Sequence, residues 1–226
     1  MKKLSLEKLN EVVNYEVLMN EKGLVESING GEVIGFCKSE EKWGLFGNMS
    51  GVGLNELKVK VEGGELINVS CSESLFVCMK FNNLLIENEL KGKSGFSCKL
   101  SSKKYKNEVL GNFEENRIEI MRWVLRVKLF YNMNSFGKLL LESGEKEICE
   151  VSNYMFERKN NNGKLWGVCK YKEGGILNRK GNNWLGKLLV ELREELKENN
   201  GVFNKVEKIE GYFCGKKIEE LVRESV

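Results

Sequence analysis

Between Phe113 and Tyr131 the apolar residues Ile118, Met121, Leu125 and Leu129 return at helical spacing. A stretch this long predicts an amphipathic helix that must bury one face against other elements. A second such pattern runs from Trp184 to Glu198, with Leu185, Leu188, Leu189, Leu192 and Leu196 on one side and Asn199-Asn200-Gly201 as its stop. Two helices with long apolar stripes demand a shared core, and the rest of the chain must supply it. The segment Glu56–Val61 alternates apolar and polar residues, Gly63-Gly64 makes a turn, and Leu66–Val69 resumes extended chain, which reads as a hairpin. The fold class expected is therefore α+β: a predominantly helical single domain with a small β-hairpin or sheet.

The remaining elements are shorter. Residues 5–22 read as a first helix, with Ser5 as cap and Gly23 as stop. A strand fits Glu32–Cys37, followed by a turn-rich stretch from Trp43 to Gly53. Ser72–Asn82 reads as a helix capped by Ser70 or Ser72, Lys91–Ser102 as loop, and Ser101–Leu110 as another short helix. A helix fits Ser135–Glu142 and a strand Glu147–Ser152, while the glycine- and asparagine-rich stretch Asn160–Asn183 reads as a long loop. The tail from Val202 holds one more strand and a short helix. The organisation expected is a helical extension over 1–31, a main domain over 32–198 and a C-terminal extension over 199–226.

Six residue types never occur: Ala, Asp, His, Pro, Gln and Thr. Ala is among the commonest residues of natural domains, so the pattern points to a deliberately reduced alphabet, by engineering or design. The chemical consequence is sharper. Without His there is no imidazole base, no imidazole metal ligand and no Ser–His–Asp or Cys–His catalysis. Acid–base and covalent chemistry falls to Glu, Lys, Cys, Tyr, Arg and Ser. The seven cysteines include no CxxC pair, so neither metal nor cofactor is expected, and scattered thiols suit a reducing cytoplasm. A net charge of +3 is too mild to argue for a nucleic-acid or membrane partner, and no apolar run approaches the roughly 20 residues of a membrane helix.

Three places stand out chemically. Glu73 and Lys80 lie seven residues apart, two turns of the expected helix, so an acid and an amine share a face with Phe76. The plain reading of Glu73 is a charge that complements the helix dipole; the functional one is an acid–amine pair whose burial perturbs both groups. Trp166, beside Gly167 in the long loop, is either a core plug or a stacking platform for a planar base. Asn183, at the start of the best helix, is either an N-cap or part of a helix-end site for phosphate or ribose oxygens. Lys103-Lys104-Tyr105-Lys106 reads as a solvated helix start or as a nucleic-acid patch.

Taken in order, these pieces resemble the NADAR family, which includes riboflavin-intermediate N-glycosidases and ADP-ribosyl-guanine hydrolases. The likeness runs through Phe36, Trp43 and Gly44-Leu45-Phe46-Gly47-Asn48-Met49, then Cys71-Ser72-Glu73-Ser74-Leu75-Phe76-Val77-Cys78-Met79-Lys80-Phe81 without a gap. It continues through Lys104-Tyr105-Lys106 and Met121–Leu129, and ends with Trp166-Gly167 and Gly181–Arg193. Two departures follow the missing residue types: the family's His after the Glu is Ser74, and its acidic residue before Trp-Gly falls on Asn162 or Gly163.

The resemblance implies an N-glycosidase. Glu73 would stabilise positive charge at the sugar C1 or activate water, and Lys80, if neutral, would form a Schiff base with an opened ribose. Phe36, Trp43, Phe46 and Trp166 with Gly167 would line the base or ribose, and Asn48 and Asn183 would hold ribose or phosphate oxygens. The implied substrate is a phosphorylated ribosylamine or an ADP-ribosylated guanine, free or within DNA, with no obligate protein partner. The competing reading is a scaffold of this fold that binds ADP-ribose or nothing and does not catalyse.

Overall fold

The computed structural model describes residues 15–19, 25–27, 32–49, 51–155, 163–173 and 176–223. The fold is α+β, as the apolar patterns predict. The chain divides into two compact units, residues 1–44 with 142–191 and residues 45–141 with 192–226.

The first unit is built on a closed six-stranded barrel. Its strands are β1 (Tyr15–Met19), β2 (Val25–Ser27), β3 (Glu32–Phe36), β6 (Glu147–Met155), β7 (Val168–Glu173) and β8 (Ile176–Gly181), joined in the ring order β1-β2-β3-β6-β7-β8. Pairing is antiparallel except at β3–β6 and β6–β7, which are parallel, and β1 closes the ring on β8 with Val17 opposite Arg179. Val33, Cys149 and Val168 form a buried cluster with Val151 packed against it. A short helix, Gly163–Trp166, precedes β7.

The second unit carries the hairpin β4 (Leu57–Val61) and β5 (Glu65–Val69), in which Leu57, Val59 and Val61 are buried and the intervening lysines are not. Helices α1 (Ser72–Cys78), α2 (Leu84–Leu90), α3 (Gly95–Ser101) and α4 (Phe113–Tyr131) follow, then a π-helical turn over Met133–Gly137 that continues as α5 (Lys138–Glu142). Burial on α4 extends beyond one stripe: Phe113, Ile118, Met121, Trp123, Val124, Leu125, Val127 and Leu129 are all inside. The long C-terminal helix, Trp184–Glu198, begins in the first unit and ends in the second. Its five stripe leucines are at most 2% exposed, each contributing roughly 1.5–3 kcal/mol of burial. It ends on Asn200 and Gly201, both at positive φ, with the Gly201 N–H donating to Leu196 O at 2.8 Å.

Several expectations are corrected. The helix expected over 5–22 is contradicted at Tyr15–Met19, a strand paired on both sides; residues 1–14 lie outside the described residues. Tyr15, Val17 and Leu18 suit a strand as well as a helix, and pairing decides. The loop expected over 91–102 contains α3, and the one over 160–183 contains a short helix and the hairpin β7–β8. Glycine and asparagine content masked the alternation of Cys169 and Tyr171 with Lys170 and Lys172. Ser101–Leu110 contributes only a 3-10 turn, Ser102–Tyr105. The tail holds four two-residue strands, Lys205–Val206, Tyr212–Phe213, Lys216–Lys217 and Leu221–Val222, and no helix among the described residues.

Candidate functional site

The acid and the amine singled out in the sequence both belong to the second unit. Glu73 sits in the first turn of α1. The preceding Cys71 is extended and gives no side-chain cap, so neither Ser70 nor Ser72 caps the helix. The Glu73 N–H instead donates to the carbonyl of Asn48 at 2.9 Å. That bond pins the Gly47–Met49 segment to the helix start. The Glu73 side chain is 11% exposed and its Oε1 lies 3.3 Å from Lys99 Nζ of α3. The approach of α3 depends on Gly95: a Cβ there would lie 2.5 Å from Met49 O and 3.0 Å from Glu73 Cβ.

Lys80 lies past the end of α1, not on it, because the helix stops at Cys78. A tight turn carries it, with the Lys80 N–H donating to Val77 O at 3.2 Å. Its Nζ stands 5.9 Å from the Phe76 ring centre and 5.4 Å from that of Phe113, and the two rings are 5.5 Å apart. Burial against these faces lowers the Lys80 pKa; the Glu73 charge opposes the shift and the Lys99 charge adds to it. The shared helix face predicted from the seven-residue spacing is therefore not formed, because the helix ends two residues before Lys80.

The neighbours of this pair are structural. Phe46 is fully buried and meets Phe136 edge-on at 6.3 Å, so it is a core residue and not a stacking platform. Asn48 is 4% exposed; its Nδ2 donates to Met121 Sδ at 3.2 Å, and its Oδ1 has no protein partner. Ser74, in the place of the family His, is fully buried and donates to Lys93 O at 2.6 Å, so it offers no acid–base group.

Lys128 went unmarked in the sequence except as part of a motif. It is completely buried on α4 and donates to Leu45 O at 2.6 Å and Gly47 O at 2.8 Å, with its Nζ 4.4 Å from the Phe136 ring centre. Desolvation lowers its pKa to about 7. Lys128 thus holds the loop whose next residue, Asn48, receives the Glu73 N–H. Lys99 and Phe113 were also missed, since no local spacing announces an ion pair or ring contact between separate elements.

The other candidates lie in the first unit. Phe36 is 2% exposed on β3 and is a core residue, not a ligand contact. Trp43 is half-buried with Lys42 Nζ 4.7 Å over its ring, and Trp166 is half-buried at the end of its short helix. Gly167 is required for close packing, because a Cβ would fall 2.1 Å from Glu150 O. Asn183, at φ 50°, spends its side chain inward: Nδ2 donates to Ile148 O at 2.8 Å and Oδ1 accepts from the Glu150 N–H at 3.4 Å. It braces β6 and is corrected from a ligand contact to a structural one.

In the basic segment Tyr105 and Lys104 both meet Glu89, which accepts from the Tyr105 hydroxyl and from Lys104 and Lys93, each lysine at 2.9 Å, and these bonds hold its pKa down to about 2. A cleft of about 610 Å³ elsewhere in the second unit is lined by Lys60, Lys205, Lys208, Glu207, Glu219 and Glu220. Its charges balance and it includes none of the candidate residues. Among the described residues no cluster of three or more metal-ligating side chains occurs, and no helix is long and apolar enough to cross a membrane.

No curated protein is a significant sequence match to the chain. Among solved structures, the NMR structure of the E. coli protein YbiA is similar, with a TM-score of 0.54 and 25% identity over 74% of this chain and 86% of that one. Residues 35–197 match the NADAR domain. That span is well over half of the sequence and includes every motif from Phe36 to Arg193, so the chain belongs to the NADAR domain family, which includes N-glycosidases.

Proposed function

We propose that this protein is an N-glycosidase that cleaves the bond between ribose and a nucleobase or amine, with Glu73 and Lys80 as its catalytic residues. The observation that carries the reading is a mostly buried acid, Glu73, on the helix that leads to a half-buried amine, Lys80, whose Nζ stands 5.9 and 5.4 Å from the Phe76 and Phe113 ring centres, where burial lowers its pKa. As the C1–N bond breaks, its electron pair leaves with the base and positive charge gathers on the sugar, where the Glu73 carboxylate stabilises it. The neutral Lys80 amine adds to C1 and passes one proton to the departing base; the bond from C1 to the ring oxygen then breaks, that oxygen takes the second amine proton, and a Schiff base results. Water hydrolyses it, returning the amine and releasing ribose. Asn48 Oδ1 is buried and unpartnered in the protein, so it would reach a sugar hydroxyl only if the Gly47–Met49 segment shifts on binding. The substrate class is a phosphorylated ribosylamine or an ADP-ribosylated guanine, free or within DNA.

Incubation with an ADP-ribosylated guanine oligonucleotide and with a ribosylaminopyrimidine phosphate tests this. Base or ribose is released from one of them, and Glu73→Gln abolishes release. No release from either by the wild-type protein overturns the reading. Ser74 favours a second reading, a ligand-binding module without turnover, because the family His is replaced by a hydroxyl already committed to Lys93. Binding of ADP-ribose without release of product is its signature.

A further inference from the structure

The Glu73 charge acts on the Lys80 amine, yet the two form no ion pair. The carboxylate is occupied from the other side: Lys99 Nζ lies 3.3 Å from Glu73 Oε1. Two features bring Lys99 to that carboxylate, although its own side chain is 48% exposed against 11% for Glu73. Gly95 lets α3 press against Met49 and Glu73, within distances that a Cβ would turn into clashes. Lys99 stands four residues further along the same helix, hence on the same face as Gly95 and directed to the same carboxylate. Glu73 is thereby held at both ends, its N–H by the Asn48 carbonyl and its carboxylate by Lys99.

We propose that Lys99 is a positioning residue that engages the Glu73 carboxylate, prevents it from closing on Lys80, and so leaves the Lys80 amine unpaired for attack on the sugar. The titratable groups that act on Lys80 are Glu73 from α1, Cys98 and Lys99 from α3, and Glu114 from α4, and the Phe76 and Phe113 rings lie beside its amine. Glu73 and Glu114 favour the ammonium; burial and the Lys99 charge favour the neutral amine. Removing the Lys99 charge acts twice in one direction. It deletes a cation that repels the ammonium, and it releases a carboxylate that can pair with it. Both raise the Lys80 pKa and reduce the neutral fraction at a given pH.

The role in attack rests on the glycosidase reading, whereas the ion-pair competition does not, so the two are tested separately. Lysine amines of the full-length protein are reductively methylated with 13C-formaldehyde, which preserves their charge, and the Lys80 signal is assigned by its loss in Lys80→Arg. Its NMR titration is followed in wild type, Lys99→Met and Lys99→Arg. Lys80 titrates higher in Lys99→Met and as in wild type in Lys99→Arg. An unchanged titration in Lys99→Met overturns the proposal whether or not turnover is observed. Lys99→Gln serves the same purpose if the Met variant fails to fold.

In the kinetic arm, the acid limb of kcat/KM moves to higher pH in Lys99→Met. Borohydride-trapped Lys80 adduct at neutral pH falls several-fold, and Lys99→Arg restores both. A shifted titration with an unmoved acid limb overturns the role in attack. Absence of base release by the wild type refutes the glycosidase reading, with the titration still deciding the ion pair.

Discussion

Lys128 makes a quantitative prediction about stability against pH. Its amine is completely buried and bonded to two carbonyl oxygens, and its pKa falls from 10.5 to about 7 on folding. Between those values the unfolded chain holds a proton that the folded chain releases, so stability rises with pH across that window and is flat below it. Integrated from about pH 6.5 to about pH 9, this one group adds about 2.5 kcal/mol in favour of the fold. Lys128→Met removes the titration along with both hydrogen bonds, leaving the Leu45 and Gly47 carbonyls without their donor. Urea unfolding of both proteins at the two pH values isolates the effect as a difference of differences, in which every other titrating group cancels. Wild type gains about 2.5 kcal/mol more than the variant on going from the lower to the higher pH. Parallel changes would refute the reasoning, for they would mean that the amine keeps its ordinary protonation inside α4.

Glu87 acts in the opposite sense. It is fully buried, accepts the Cys214 N–H at 2.9 Å, and burial raises its pKa from 4.5 to about 7. Its stabilising contribution is complete below about 4.5 and is lost as pH rises through about 7. Glu87→Gln flattens that part of the stability profile, as chemical denaturation across the range measures. Gly95→Val forces a branched side chain toward Met49 O and Glu73 Cβ; it costs about 1–3 kcal/mol or more, read as a lowered Tm, and breaks the Lys99–Glu73 pair. Asn183→Ala strips the brace from Ile148 and Glu150 and costs about 1–3 kcal/mol, seen in the denaturation midpoint.

The elements legible in the sequence are those whose side chains repeat with the period of their own backbone. Phe113–Tyr131 and Trp184–Glu198 have the bounds that their apolar spacing predicts, and Leu57, Val59 and Val61 mark a strand by alternation. Where the pattern fits two periods, long-range pairing decides: Val13 and Val17 fit a helical stripe, yet Tyr15–Met19 is bound between β2 and β8. The candidate site was legible only as residue types and order, since α1 ends at Cys78 and leaves Lys80 beyond it. Its supports were not. Lysine is normally exposed, and nothing local in the sequence announces that Lys128 is enclosed or that Lys99 reaches across to α1. Phe36, Phe46 and Asn183 went the other way: motif positions whose side chains are spent on packing and backbone hydrogen bonds.

The ring of six strands leaves no rim, because Tyr15–Met19 joins β2 on one side and β8 on the other. A nick or truncation that removes these five residues would unseal the cylinder along its length. Two rows of amides and carbonyls would then face solvent, on β2 and β8, each a template for strands of another molecule. A short segment remote in sequence from Glu73 and Lys80 thereby guards the protein against adhering to its own copies.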